Sequence, residues 1–319
     1  MENNNLGKLI KLTRKRHKIS QKELCYGLCS TSTLSRIEES ECIENWQLLN
    51  ALLDRLDLPS NIYDFIVSTE ELIRYSIELK VNNMPTEDVL PLIDEYKNIS
   101  VEESNLDKQF CLFAEVLATF RDTDYKKSWK HLQKALRFTI PDFNIDKELS
   151  ITVFTTRELI ILYYIANMEY FYMNRQQSAI KRLYHVLGKL KNKNSSPSKL
   201  KYIPSIINSL GGFEENYLRY NKEYELSDFG IDFCVKNGIL RDFAFLLYTK
   251  AYAMCKMGFS SEYGKASKRE AKKIFLQSFS VMLVQNKDMD TIMRGIAEAQ
   301  ELMEEDFVDL ELLKQINCA

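Results

Sequence analysis

The sequence is poor in residues that interrupt helices. It has 10 glycines and 6 prolines in 319 residues, so long stretches contain neither. Helices tolerate such stretches better than a multi-stranded sheet, which needs frequent turns. Beyond residue 62, apolar residues recur at spacings of three and four, and no alternating strand pattern of useful length is present. These absences predict an all-α fold.

The chain also lacks the patterns that accompany common catalytic and metal sites. Its three histidines, His17, His131 and His185, fall in unrelated segments. No nucleophile motif or glycine-rich phosphate loop accompanies them. Cys25 and Cys29 have no second pair to complete a zinc site. We therefore expect a protein that is not an enzyme, with no catalytic residues, no metal and no cofactor.

Long apolar runs are missing as well. No stretch of about 20 uncharged apolar residues occurs, and charges interrupt the N-terminal segment MENNNLGKLIKLTRKRHK, so neither a signal sequence nor a membrane span is expected. The odd number of cysteines then favours reduced, mostly buried thiols in the cytoplasm. The seven cysteines are Cys25, Cys29, Cys42, Cys111, Cys234, Cys255 and Cys318.

The chain has no strong excess of charge of one sign. It carries 43 basic and 45 acidic residues, for a net charge of -2. A nucleic-acid-binding protein usually has a basic footprint, so any such footprint here must be local. The length suggests two domains, so the basic footprint can be confined to one of them.

The first 62 residues contain the signals of four short helices. The first helix is predicted to be amphipathic with a cationic outer face, because apolar and basic residues alternate at helical spacing. Its apolar positions are Leu6, Leu9, Ile10 and Leu12, and its basic positions are Lys8, Lys11, Arg14, Lys15 and Arg16. Ser20 and Glu23 form a capping-box pattern, which predicts a second helix that stops at Gly27.

Ser30 is predicted to cap a third helix over 31–38, with Leu34 and Ile37 on its apolar side. A fourth helix follows from Trp46 to Leu56. Two short helices joined by a tight turn are typical of a helix-turn-helix. The polar face of the third helix carries short side chains that both donate and accept hydrogen bonds, which suits a DNA major groove about 12 Å wide.

The segment SQKELCYGLCSTSTLSRIEESE resembles the XRE (Cro/C1-type) helix-turn-helix. Gln21 and Leu24 match its first part, and the serines of the third helix with Arg36, Ile37 and Glu38 match its second part. The resemblance implies that Glu38 braces the domain. The DNA contacts that it implies are Gln21, Ser30, Thr31, Ser32, Thr33, Ser35 and Arg36.

Two features depart from that family. Glu39 and Ser40 stand where a basic residue and a glycine are common, and Thr31 stands where many members have arginine. Arg36 is thus the one cation of the third helix, and we expect dimerisation to supply further affinity through two half-sites. The alternative is a helical bundle that has lost DNA binding.

Residues 63–319 are predicted to form degenerate tetratricopeptide-like hairpins. Second helices with a small residue before a large one occur near Ser128, Ala179, Ser227 and Ala271, at intervals of roughly 45–50 residues rather than ~34. Such repeats stack into a right-handed superhelix with a concave surface. The first helices, expected at 104–121, 155–173, 200–220 and 240–258, would line that surface.

Candidate peptide contacts lie on these first helices. An asparagine amide can bind a peptide backbone, and aromatic rings supply contact area. The candidates are Asn167, Tyr163, Tyr164, Tyr170, Phe171 and Asn208. Core packing is the alternative for each ring, and a hydrogen bond within or between helices is the alternative for each asparagine. Residues 189–200 combine charge, serine and proline, which predicts either a flexible connection or simply an interhelix loop. The basic run at 268–273 is predicted to be a solvated helix face.

In architecture, the chain is similar to the RRNPP family of peptide-sensing regulators (the Rgg, PlcR and NprR type). The resemblance implies a DNA-binding domain at 1–62 and a sensing and dimerisation domain at 63–319. It also implies a cytoplasmic homodimer that binds an operator in double-stranded DNA, and a short signalling peptide that changes this binding in a quorum-sensing response. The alternative is a DNA-tethered adaptor whose repeats bind a partner protein.

Overall fold

The computed structural model describes residues 4–39, 45–58, 73–74, 76–78, 80–81, 89–99, 104–119, 124–147, 149, 153–191, 195–258, 264–285 and 287–308. Helices and turns account for these residues, and no β-strand occurs among them. The chain divides into two compact units, residues 1–200 and 201–319. The boundary predicted at residue 62 lies outside the described residues, so that domain division stays a prediction.

Unit 1 begins with the four short helices that the sequence predicts. These are α1 (Asn4–Arg16), α2 (Gln21–Leu24), α3 (Thr31–Glu38) and α4 (Trp46–Arg55). The hydroxyl of Ser20 accepts a hydrogen bond from the amide of Glu23 at 3.1 Å, and that of Ser30 accepts one from Thr33 at 3.0 Å. Asn45 caps α4 in the same way.

The four helices share one apolar core, which includes the fully buried Ile10, Leu24, Leu34 and Leu52. Two predictions about α1 are wrong. Leu12 is 67% exposed, and Arg14 is only 8% exposed. Each helical residue advances about 100°, so Leu12 lies about 200° from the buried Ile10, while Arg14, one turn after Ile10, lies on its face. The outer face of α1 therefore does not include Arg14.

The remaining helices of unit 1 form successive pairs. They are α5 (Leu90–Ile99), α6 (Asn105–Ala118), α7 (Tyr125–Arg137), α8 (Thr156–Phe171), α9 (Gln176–Leu190) and the short α10 (Pro197–Leu200). α6 packs on α7, and α8 packs on α9. Complete capping boxes start both first helices, Ser104 with Asp107 and Thr155 with Glu158.

Unit 2 contains two further pairs and a last helix. These are α11 (Ile203–Glu215), α12 (Tyr220–Asn237), α13 (Phe243–Met257), α14 (Gly264–Val284) and α15 (Met289–Met303). Gly230 lets α12 and α13 approach closely, since a Cβ there would come within 2.9 Å of Leu246. α12 ends at Gly238, which has a φ of +64°. The predicted all-α fold of helical hairpins is confirmed.

Several other expectations concern the whole chain. The cysteines within the described residues are all free, and Cys42 and Cys318 lie outside those residues. Within the described ranges, no helix is both long and apolar enough to cross a membrane. In the same ranges no three His, Cys, Asp or Glu side chains form a group that could hold a metal ion.

Candidate functional site

The polar face of α3 lies on the surface of unit 1. Thr31, Ser32 and Arg36 are exposed, and Thr33 and Ser35 are half-buried. The opposite face packs into the bundle through Leu34 and Ile37, which are buried. The structure therefore brings the predicted DNA contacts of α3 together on one accessible strip.

Two of these candidates hold the start of α3. Besides accepting from the amide of Thr33, the Ser30 hydroxyl forms a 2.8 Å hydrogen bond with the Thr33 hydroxyl. A serine N-cap satisfies one of the four amides that a helix N-terminus leaves unpaired. Ser30 and Thr33 thus fix the leading turn of α3, while Thr31, Ser32 and Arg36 present their side chains outward.

A buried ionic network fixes the other end of α3. Arg14 donates to both carboxylate oxygens of Glu38, through Nε at 2.5 Å and Nη2 at 2.9 Å, and donates through Nη1 to the carbonyl of Ile19. Burial opposes ionisation of Glu38, but the hydrogen bonds from Arg14 and Gln21 outweigh it and lower the pKa of its carboxyl. Glu38 has the bracing role that the resemblance implies.

Gln21 belongs to the same network. Its Nε2 donates to Glu38 at 2.9 Å and to Ser35 at 3.4 Å, which engages both hydrogens of the amide. A contact from Gln21 to a DNA phosphate needs a donor, so it requires one of these two bonds to break. In this arrangement Gln21 positions α3 rather than presenting itself for binding.

Basic side chains surround the α3 strip on neighbouring elements. Lys15 and Arg16 at the end of α1, Lys18 in the following turn and Lys22 in α2 are exposed, and Lys11 is half-buried. Such a set supplies sequence-independent attraction to phosphates. The side chain of Lys8 lies outside the described residues.

A second buried ion pair joins the four-helix bundle to the repeats. Nη2 of Arg55, at the end of α4, donates to Oε1 of Glu158 in α8 at 2.9 Å, and both side chains are fully buried. Nη1 of Arg55 donates to the carbonyls of Leu24 and Tyr26 at 2.8 and 2.7 Å. One guanidinium thus binds the turn before α3 and the first turn of α8.

Further contacts surround this pair. The carboxylate of Asp54 accepts from the amide and hydroxyl of Thr156, and Lys199 donates to Asp57 at 2.7 Å and to the carbonyl of Asp54. Lys199 is 4% exposed. The prediction of a flexible connection over 189–200 is therefore wrong for residues 195–200, because the Lys199 ion pair anchors them. Residues 192–194 lie outside the described residues.

A glycine completes the junction. Gly27, in the turn between α2 and α3, has a φ of +69°, and a Cβ there would overlap the carbonyl oxygen of Thr139. Only glycine combines this backbone conformation with such a close approach. The structure ends α2 at Leu24, three residues before the predicted stop at Gly27, and Gly27 instead allows the contact with the chain that follows α7.

The sequence analysis did not find the Arg55–Glu158 pair. A signal for it does exist, because each charge lies at helical spacing from large apolar residues. Arg55 is three residues after Leu52, and Glu158 is three residues before Ile161 and four before Leu162. Opposite charges inside two apolar helix faces indicate mutual burial, because an isolated buried charge is costly.

The candidate peptide contacts of unit 1 lie on α8. Tyr163 and Tyr164 are half-buried and pack edge to face at 5.6 Å, and Nδ2 of Asn167 donates to the carbonyl of Tyr163 at 2.9 Å. Tyr170 is buried, so it packs in the core and offers no free ring face, whereas Phe171 is 61% exposed. The helix-surface hydrogen bond considered for Asn167 is therefore present.

The sixth candidate, Asn208, lies on α11 in unit 2. It is half-buried, and its Oδ1 accepts from the hydroxyl of Thr249 on α13 at 3.4 Å. The alternative of a hydrogen bond between helices is thus present for Asn208, and its amide nitrogen is left for another partner.

Together, these elements define a helical-repeat protein that begins with a small four-helix bundle. No family model matches the chain, and no curated protein is significantly similar to it in sequence. A solved structure of similar fold is PlcR of Bacillus thuringiensis in complex with the peptide PapR7 and DNA. It has 15% identity and a TM-score of 0.51, and the match covers 89% of this chain and 98% of that one.

Two other solved structures were also found. The apo form of ComR from S. thermophilus has 14% identity and a TM-score of 0.47, with 92% of this chain and 98% of that chain covered. A kinesin light chain from Podosopora anserina with TPR-like repeats has 11% identity and a TM-score of 0.43, with 69% and 99% covered. At these identities the similarity to PlcR establishes the fold alone, an all-α chain of TPR-like hairpins.

Proposed function

We propose that this chain is a sequence-specific DNA-binding transcriptional regulator of the peptide-sensing type, acting as a homodimer. The observation that carries the proposal is the exposed polar strip of α3, flanked by cations and held by the buried Arg14–Glu38–Gln21 network. A solvated surface helix needs no such brace, whereas a helix that must keep one orientation in a groove does.

On the DNA side, Thr31, Ser32 and Arg36 contact base edges in the major groove, and Lys15, Arg16 and Lys22 contact phosphates. Because α3 has a single cation, one domain alone binds its half-site with low affinity. Two copies bound to half-sites about 34 Å apart, or a multiple of that spacing, supply the remaining affinity and the specificity.

On the ligand side, the half-buried Tyr163 and Tyr164 and the exposed Phe171 offer ring surface on α8 of unit 1. A short peptide bound there favours one arrangement of the repeats. Glu158, in the first turn of α8, binds Arg55, so a shift of α8 reaches the bundle through this contact. The change in operator affinity cannot exceed the difference in peptide affinity between the two arrangements.

A DNA-tethered adaptor is the second candidate. The observation that favours it is the bond from Asn167 to the carbonyl of Tyr163. It engages the amide that would otherwise bind a peptide backbone, which leaves a surface of mainly aromatic character, as a partner protein prefers.

The proposal is tested by fluorescence anisotropy with DNA from the region upstream of the gene, with and without synthetic peptides encoded beside it. We expect Arg36→Ala to weaken binding about 5- to 150-fold per half-site, from a loss of about 1–3 kcal/mol. Arg269→Ala, which removes an exposed arginine of unit 2, should leave binding unchanged.

Light scattering of both variants should give the dimer mass. If Arg36→Ala binds as tightly as Arg269→Ala, α3 is not the reading helix. If DNA binding is normal and no neighbouring peptide changes it, the adaptor replaces the peptide sensor.

A further inference from the structure

One face of α7 carries a continuous line of positive charge, while the opposite face of the helix is buried. The exposed basic residues on it are Lys126, Lys127, Lys130, Lys134 and Arg137. We call these five residues the α7 stripe, and they cover about 16 Å of the helix axis at 1.5 Å per residue. α7 contains no aspartate or glutamate, so the helix itself does not neutralise the stripe.

Neighbouring elements leave the lysines of the stripe uncompensated. Among the described residues, no ion pair includes any of these lysines. The carboxylate of Asp124 caps α7 by accepting from the backbone amide of Lys126. Glu115 lines a small cavity together with Lys134, but it is bound by Lys97 at 2.5 Å. The positive charge of the stripe is therefore available to an anionic partner.

The spacing of the lysines is unfavourable in the absence of such a partner. Lys126, Lys130 and Lys134 follow one another at four-residue intervals, and like charges at this spacing destabilise a helix. A solvated helix face usually mixes both signs of charge. The basic run at 268–273 of α14 does so, because it includes Glu270 and its Lys272 pairs with Glu305. An anion bound along α7 would remove the repulsion.

The stripe lies in unit 1, beside the bundle that carries α3. Thr139 follows the stripe by two residues, and its carbonyl is so close to Gly27 that a Cβ there would overlap it. Three residues after Gly27, Ser30 caps α3. The stripe therefore begins next to the turn before α3 and runs away from it along α7. A duplex held by α3 continues past the bundle on both sides, which brings its backbone within reach of α7.

We infer that the α7 stripe binds the phosphate backbone of DNA that flanks the site read by α3, an inference that rests on the DNA binding proposed above. Duplex DNA carries one negative charge per about 1.7 Å of its axis, so a line of cations meets phosphates along its whole length. An acidic protein would need carboxylates at matching positions, whereas every duplex has this charge. Such contacts position the duplex and carry no sequence information.

Fluorescence anisotropy of the full chain at a series of salt concentrations tests the inference, with the upstream duplex and a scrambled duplex of the same length. Each phosphate contact contributes about 0.9 to the slope of log Kobs against log salt concentration. The triple variant Lys126→Gln/Lys130→Gln/Lys134→Gln should therefore reduce the magnitude of the slope by about 2–3. It should weaken binding to both duplexes by the same factor.

Two further triple variants are the controls. Lys222→Gln/Lys256→Gln/Lys273→Gln removes three exposed lysines of unit 2, which changes the net charge equally and should leave the slope as in wild type. Replacing the three α7 lysines by arginine keeps the charge and should also keep the slope. Thermal melts followed by circular dichroism should show the α7 glutamine variant to be at least as stable as wild type, because repulsion between like charges is removed.

An unchanged slope in the α7 glutamine variant would overturn the inference and leave an acidic protein as the partner of the stripe. An equal loss in the unit 2 control would also overturn it, because net charge alone would then explain the effect. Arg36→Ala tests the proposed function separately, since it should remove the preference for the upstream duplex and keep most of the slope. If wild type lacks that preference, the proposed function fails, and the slopes on the scrambled duplex still test the stripe. No binding to either duplex at low salt would overturn both.

Discussion

Glu158→Gln is the sharpest test of the junction between the bundle and the repeats. The change removes one charge and keeps the shape of the side chain, so the guanidinium of Arg55 loses its counter-ion in a place without water. Both side chains of the pair have no exposed surface. The two carbonyls that Arg55 also binds carry partial charges only and cannot compensate a full positive charge.

The size of the effect follows from this burial. Removing one partner of a buried ion pair costs about 3–5 kcal/mol, because the other charge stays buried without compensation. With a urea m value of about 2–3 kcal/mol/M, the unfolding midpoint should fall by about 1–2.5 M. Arg55→Met in the Glu158→Gln background should recover part of this loss, since no charge is then buried.

Urea unfolding followed by circular dichroism measures the midpoint. Asp232→Asn is the matched control, because it removes the acid of the Lys236–Asp232 pair, whose side chains are 70% and 55% exposed. An exposed pair of this kind contributes less than about 1 kcal/mol. If Glu158→Gln lowers the unfolding midpoint no more than Asp232→Asn does, Arg55 must reach water in solution, and the contact between α4 and α8 is then not closed as described.

Three further predictions concern other groups. Gly27→Ala should lower the free energy of unfolding by at least about 2 kcal/mol, because its Cβ would meet the carbonyl of Thr139 at a positive φ. Gly188→Ala is the control: its Cβ meets no atom within 4 Å, and alanine favours a helix over glycine, so thermal melts should show a free energy of unfolding about 0.5–1 kcal/mol higher. The pKa of Glu38 is lowered in the folded state, so its stabilisation is present above about pH 4.3 and is lost as the pH falls through the folded pKa; the stability gap between wild type and Glu38→Gln should therefore shrink from pH 6 to pH 3. Burial, with the nearby Glu215, raises the pKa of Glu223 to about 8, so wild-type stability should fall between about pH 4.3 and 8 and that of Glu223→Gln should not; equal slopes in the two proteins would contradict this.

The local structure of the bundle could be predicted from short-range signals. Serine caps three residues before the amide that they bind fix the starts of α2 and α3, and this chemistry acts within one turn. The hairpins after residue 104 follow from apolar spacing in the same way. Both kinds of signal lie within a few residues of the structure that they determine.

The environments of the candidate site residues and of the buried arginines depend on partners that are far away in the sequence. Arg14 looks like a surface cation until Glu38, 24 residues later, is placed beside it. The pairing of Arg55 with Glu158 spans 103 residues. Periodicity treats a charge as solvent-facing, so it assigns both arginines to the wrong environment. The amides of Asn167 and Asn208 likewise find partners that only the packed structure provides.

The long span of the junction bears on the order of events during synthesis of the chain. Glu158 follows Arg55 by 103 residues, which a ribosome needs about 5–20 s to add at ~5–20 residues per second. Throughout that interval the N-terminal helices have emerged while Arg55 has no Glu158 to neutralise it. A nascent chain therefore carries its α3 strip before it carries the contacts that later hold that strip to the repeats.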